Sequence, residues 1–246
     1  MTKYGSHNVA FLLVDGYSIL GVQTDLKDDV EAITEETHAL GDSWVEVEAT
    51  GVKRGTLEQN GFYDDVAVGA HAALVSTPGQ SRVVNYGVEN NGIGQNAVCL
   101  AGAMQTNYNR VASRGELTKA NASYQVVGEV EEGKIIHDLA QEAGDGDSTA
   151  ESVDNAASSA DGANLYLQVS ALDLDGLTDV VISVVHSDDD ISYSTLESFT
   201  AVTAAQTAEV KAKTGTIKRY LAAEWAFTGL VGESPTATFM VAVVRQ

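Results

Sequence analysis

The sequence predicts a mainly β protein, and three segments carry that reading. Residues 178–186 (TDVVISVVH) form a nearly continuous β-branched run, 216–228 (TIKRYLAAEWAFT) alternates, and 238–245 (TFMVAVVR) is again apolar. In the middle segment Ile217, Leu221, Ala223, Trp225 and Phe227 share a face with Arg219, while Lys218, Tyr220 and Glu224 take the other. Side chains alternate with period two along a strand, so this pattern describes a sheet with one dry face. No nucleophile, ligand cluster or phosphate loop interrupts it.

Taken in order, 9–14 is the first expected strand. Residues 25–41 are acidic with sparse apolar positions and are expected to hold a short helix. Residues 44–51 alternate Trp44, Glu46 and Glu48 against Val45, Val47 and Ala49, a strand with a solvated polar face. The stretch 55–65 (GTLEQNGFYDD) is expected to be a turn-rich loop ending in the aromatic pair Phe62 and Tyr63. An acidic start and an Ala-rich interior predict a helix within 64–76, stopped by Pro78-Gly79. Further strands are expected at 81–88, 97–105, 122–129 and 134–137.

Residues 139–162 differ in kind, being small and acidic without aromatics, and are expected to form a linker or mobile loop that folding does not need. That boundary divides the chain into a β part over 1–138 and a second β part over 163–246. The parts also show an internal likeness. Residues 94–104 resemble 162–172, and 115–128 resemble 215–229, the pattern of a distant duplication.

Composition narrows the function classes. The chain has 246 residues, and 35 acidic against 14 basic residues give a net charge of -21. Phosphate neutralisation needs a basic face, so nucleic-acid binding is not expected, and the acidic surface repels DNA. Salt adaptation would produce the same imbalance. The one cysteine, Cys99, excludes an internal disulfide and sits in an apolar stretch, where it acts as a small hydrophobe. The N-terminal apolar run is about five residues long, and no stretch approaches the ~20 of a membrane span. Synthesis and folding in a cytoplasm are therefore expected, without membrane contact.

Motifs with chemical meaning fail on context. Gly92-Ile-Gly94-Gln-Asn-Ala97 matches a dinucleotide fingerprint in letters but precedes a strand, so it reads as a glycine turn. Asp188-Asp189-Asp190 and Asp173-Leu-Asp175-Gly176 lack the terminal Glu of a calcium loop and read as solvated turns. His7, His38, His71, His137 and His186 show no zinc-ligand spacing. No enzyme activity, cofactor or metal is expected.

Several stretches resemble the major tail tube protein of long-tailed bacteriophages. They are Gly55-Thr-Leu-Glu-Gln-Asn-Gly-Phe-Tyr-Asp-Asp65, Arg114-Gly-Glu-Leu-Thr-Lys-Ala-Asn-Ala-Ser123, and the C-terminal segments 186–189, 193–199, 215–221 and 239–245. The resemblance implies a β-sandwich or split-barrel fold with one flanking helix, followed by the remainder of the fold or a second β domain. It also implies a virion protein whose copies form closed rings stacked into a hollow tube, contacting other tail proteins while viral DNA passes without specific binding. A ring would need six chains, or three if both parts are tube-like. Trp44, Phe62 and Tyr63 are the candidate subunit contacts, since exposed aromatics favour interfaces. Glu46, Glu48, Glu129, Glu131 and Glu132 are the candidate acids of the tube lumen. The alternative reading is a capsid-decoration, fibre or adhesion β-sandwich.

Overall fold

A computed structural model describes residues 9, 11–36, 47–87, 92–229 and 234–246. The described residues are strand-rich from end to end. Strands β1 (Leu12–Val14) and β2 (Tyr17–Ser18) form a small hairpin, and β3 (Gln23–Glu36) with β4 (Val47–Phe62) forms a long one. Helix α1 (Ala70–Leu74) precedes β5 (Ser81–Gly87), β6 (Asn96–Val111), β7 (Lys119–Val126) and β8 (Glu131–Ala143). Then come the short β9 (Gly146–Asp147) and β10 (Val153–Asp154), followed by β11 (Ala163–Asp173), β12 (Asp179–Ser187) and β13 (Ser194–Ser198). The chain ends in β14 (Thr207–Lys213), β15 (Tyr220–Thr228) and β16 (Thr236–Arg245).

Two sheets result. The larger runs β14-β11-β16-β8-β6-β5-β1-β2, with β7 on β6, β4 on β7 and β3 on β4. The smaller runs β10-β15-β12-β13, with β9 also on β15. The smaller sheet faces the β8-β16-β11 part of the larger one across an apolar layer, a sandwich filled by Leu165, Leu167, Phe239, Val241, Ile182 and Trp225. The remaining part of the larger sheet packs α1 on one face, with Leu12, Leu57, Val84, Leu100 and Tyr124 beneath Ala70, Ala73 and Leu74.

A third core explains why β16 reads as an unbroken apolar run. Phe239, Val241 and Val243 face the sandwich, while Met240, Ala242 and Val244 face the opposite way, towards Phe11, Leu13, Cys99, Ile135 and Tyr166. A strand buried on both faces loses its polar alternation. The larger sheet therefore curls until its two ends meet without closing into a barrel. Gln168 on β11 latches them together. Its amide oxygen accepts from the Gly16 N–H, and its Nε2 donates to Asn85 Oδ1 at 2.8 Å and to the Val83 carbonyl at 3.2 Å. Gly16 has φ +81°, and a Cβ there would lie 2.5 Å from the Val169 carbonyl oxygen, so only glycine fits.

Helix α1 is short and depends on side chains from the sheet. Arg82, buried, donates to the Ala73 carbonyl at 2.8 Å and pairs with Asp15. Gln105 Nε2 donates to the Leu74 carbonyl at 2.8 Å. Two of the last carbonyls of the helix are thereby satisfied.

Four expectations are corrected here. The segment 25–36 is strand, not helix: Leu26, Val30 and Ile33 mimic helical spacing, but a register shift between Ala32 and Thr34 accommodates them in a ladder with β4. Residues 55–62 are strand as well, and their glycines mark close approaches rather than turns. A Cβ at Gly61 would lie 2.6 Å from the Val22 carbonyl oxygen, and one at Gly55 would press on Val126 and Val130.

The expected linker over 139–162 is built into the fold. β8 continues to Ala143, β9 and β10 both pair with β15, and Ser159 bridges Ile217. Val153 is part of the sandwich core, and Ser148 is buried, donating to the Ile136 carbonyl at 3.0 Å and accepting from the Ala223 N–H at 2.9 Å. Small residues are needed here because Gly146 lies flat against the Trp225 indole, where a Cβ would sit 2.6 Å from the ring. The proposed duplication has no counterpart in topology. β6 and β7 are paired neighbours, whereas the corresponding β11 and β15 belong to different sheets.

Candidate assembly surfaces

The described histidines and several acids are placed as structural groups, while His7 and His38 lie outside the described residues. His71 Nδ1 meets the Tyr108 hydroxyl at 2.8 Å, and His186 Nδ1 accepts from the Lys218 N–H at 3.3 Å. Asp189 accepts from the N–H groups of Ile191 and Ser192 and from the Ser187 hydroxyl, with the Ser192 N–H foremost in holding its carboxyl down to about 2. Burial pushes the Cys99 thiol up to about 12, which makes it an inert core residue. Gly92 to Gln95 form a turn, with the Gly94 N–H on the Ile135 carbonyl at 2.7 Å. Among the described residues, no three His, Cys, Asp or Glu side chains converge on a metal position, and no helix is long and apolar enough to cross a membrane.

The surfaces point to contact with other molecules. β4 pairs with β7 only over Thr56–Phe62, so 30–36 of β3 and 47–55 of β4 have no third strand beside them. This two-stranded arm spans about 25 Å at ~3.3 Å per residue. Its described side chains are exposed except the half-buried Ile33 and Gly55. Across both strands eight acids stand against three basic residues. A free hairpin is marginally stable in water at best, and the outer edge of β3 is unpaired. β14 and β13 are likewise edges of their sheets.

A second surface lies where β4, β6 and β7 end together. Phe62 is opposite Lys119, which is opposite Val111, so the three form one exposed cross-strand row. On the other face the Tyr63 ring tilts against His71 at 4.9 Å, His71 against Tyr108 at 5.7 Å, and the Arg110 guanidinium lies 5.9 Å from the Tyr63 ring. Leu117, in the β6–β7 turn beside Arg114, is 69% exposed. Val66 and Val68 on the approach to α1 are also exposed. Aromatic residues and arginine beside exposed aliphatic groups are the composition of an interface core.

Of the expected contact residues, Phe62 and Tyr63 fall within this surface, and Trp44 lies outside the described residues. Tyr108, Arg110, Val111 and Leu117 were not expected there. Their signal is local: a glycine turn flanked by basic and apolar residues in an otherwise acidic chain. Of the expected lumen acids, Glu46 lies outside the described residues and Glu48 is on β4 in the arm. Glu129 is exposed in the turn before β8, and Glu132 is exposed on β8. Glu131 is different. Its carboxylate accepts from the Tyr166 hydroxyl and from Asn164 Nδ2 at 2.6 Å, and Gln246 Nε2 approaches at 3.4 Å. Burial first, then this acceptor, raise the Tyr166 hydroxyl above its ordinary pKa. Glu131 is thus a tie between β8, β11 and the last residue rather than a free surface charge.

Among the solved chains that resemble this one, three are described by their origin. Two are from gene transfer agent particles, one described as the tail of an empty particle with C6 symmetry and one as the virion of the native particle. Each has a TM-score of 0.40 and 14% identity, over 52% of this chain and 97% of the other. The third is the Dit protein of phage SPP1, described as a hub of the adsorption apparatus in phages infecting Gram-positive hosts. It has a TM-score of 0.36 and 8% identity, over 96% of this chain and 99% of that one. No protein-family model and no curated protein matches the chain.

Proposed function

We propose that this protein is a structural component of a phage-type tail, the tail tube protein, whose copies form closed rings stacked into a hollow conduit for the genome. The observation that carries the reading is the β3–β4 arm. Its base rests against Val126 and Val130, but most of its described side chains are exposed and its outer strand edge is open, and such a ribbon gains stability when something covers it. A neighbouring copy is the natural cover, because head-to-tail contacts between identical chains close into rings when the rotation permits. The end surface around Tyr63 and Leu117, and the edge strand β14, supply further contact area. The sequence resemblance to tail tube proteins points the same way.

Six chains per ring is the stoichiometry we favour, because the two halves differ in topology and so do not supply the repeat that a three-chain ring would need. Glu129 and Glu132, with Glu46 and Glu48, are the acids proposed to face the lumen, where like charge keeps DNA from adhering. The test is electron microscopy and sedimentation of the purified chain. Rings or hollow tubes are expected. Monomers persisting at high concentration, with a bound glycan or capsid partner instead, would favour the decoration or adhesion reading.

A further inference from the structure

The β6–β7 tip has a counterpart at the other end of β6. Just before Asn96, a cavity of 420 Å³ opens beside Ile93, His137 and Trp225. Its volume falls in the range of ~300–1,000 Å³ typical of pockets that take organic groups. Asp138, Glu142, Asp145, Asp147 and Glu151 line it, and no Lys or Arg does. Among the described residues the one ion-pair partner any of the five has is His137, whose Nε2 lies 3.4 Å from Glu142. Asp145 accepts from the Phe227 N–H on β15, and Asp147 braces its own turn by accepting from the Thr149 N–H. His137 is 2% exposed, stacks on Phe239 at 4.1 Å, and its Nδ1 has no partner in good hydrogen-bond geometry.

The tip carries the opposite charge. Arg110, Arg114 and Lys119 stand within ten residues against the single acid Glu116, with Val111 and Leu117 exposed among them. Asp64 and Asp65 lie nearby on the approach to α1, and Asp64 is engaged by the Val66 N–H at 3.0 Å. β6 spans about 50 Å from Asn96 to Val111 at ~3.3 Å per residue, so cavity and tip stand at opposite ends of one strand. Complementary surfaces at opposite ends cannot satisfy each other within one chain. They can do so between copies aligned head to tail.

We propose that the β6–β7 tip of one copy seats in the acidic cavity of the next, Arg114 entering among the carboxylates and Leu117 covering Ile93. The contact presupposes the tube proposed above, in which it joins one ring to the next.

The experiment uses the full chain carrying Leu117→Cys and Ala150→Cys, both exposed positions, Ala150 being on the cavity wall; the native Cys99 is buried. After assembly and mild oxidation, a non-reducing gel should show a covalent ladder from the double variant and none from either single variant. In parallel, Arg114→Glu with Lys119→Glu should raise the concentration needed for assembly at least tenfold at unchanged Tm, and adding Glu151→Lys should recover part of that loss. Tubes that form without a ladder, or tip-to-tip dimers from Leu117→Cys alone, would overturn the contact and leave the tube reading standing. Absence of any assembly by the wild-type chain would overturn both. Assembly indifferent to the charge reversals would count against the contact even if the cysteine variants failed to fold.

Discussion

Trp225 concentrates the logic of the sandwich in one side chain. It shares a face with Ile217, Leu221 and Ala223, meets His137 and Phe239 edge-on, and donates its indole N–H to the Gly144 carbonyl at 3.0 Å. Truncating a buried aromatic leaves a cavity as well as lost transfer energy, so Trp225→Ala should cost about 3–5 kcal/mol in a urea melt. A variant with wild-type stability would mean that the site collapses without penalty, contrary to its packing. His137 beside it makes a pH prediction. Burial holds its pKa below the ordinary 6.5, with Glu142 and Asp138 opposing that shift. The unfolded chain therefore takes up the proton first. The contribution of His137 is complete above 6.5 and is lost as pH falls from there towards the folded-state pKa. His137→Phe preserves the ring stack and removes the titration. Its Tm should fall less than that of wild type between pH 7 and pH 5, and parallel profiles would exclude the coupling.

At the scale of elements, two deletions should behave in opposite ways. Removing 144–159 takes out β9, β10, the Ser148 bridge and the cover of Trp225, so cooperative unfolding should be lost or Tm should drop steeply. A deletion that melts like wild type would show these contacts to be ornamental. Replacing 31–54 with an Asn-Gly turn between the paired residues Val30 and Gly55 removes most of the arm and keeps every described core residue. Its Tm should stay within about 2 °C of wild type, since exposed changes cost little, while assembly should be abolished. The contrast shows which parts were legible beforehand. Strands β5, β6, β12, β15 and β16 could be read because their own side chains carry the alternation or the apolar run. The arm could not, because Leu26, Val30 and Ile33 keep helical spacing and only the β4 ladder decides between the two. The 144–159 segment was opaque for another reason. Its glycines and Ser148 earn their place through Trp225 and Ala223, some 75–80 residues away, and no local pattern records such a partner.

On the scale of the whole molecule, charge decides how the protein treats its surroundings. A net charge of -21 spread over arm, cavity and turns would make the proposed tube wall repel a DNA strand. Glu129 and Glu132 are exposed, so changing both to Lys should leave folding and tube length nearly unaltered. In tails assembled from that variant, genome passage should slow, and the delay should shrink as salt rises. Unchanged ejection kinetics from tails confirmed to carry the lysines would remove these two residues from the lumen, leaving the ring itself untouched. The candidate contact surface was only partly visible at this scale. Phe62 and Tyr63 stand out as an aromatic pair in a loop-like stretch, but their companions Tyr108, Arg110 and Leu117 join them only when β4, β6 and β7 end at one place.

β8 has a mechanical meaning as well. Its consecutive residues Ile135 and Ile136 enter different cores, and it pairs with β16 on one side and β6 on the other. Slipping this strand by a single residue would evert both isoleucines at once. Tension along the strands would load its antiparallel ladders in shear, so that many hydrogen bonds resist together instead of unzipping in turn. The sandwich and the curled sheet should therefore yield as one body under a pull, and a filament built from such units would flex at the joints between subunits while each subunit stays rigid.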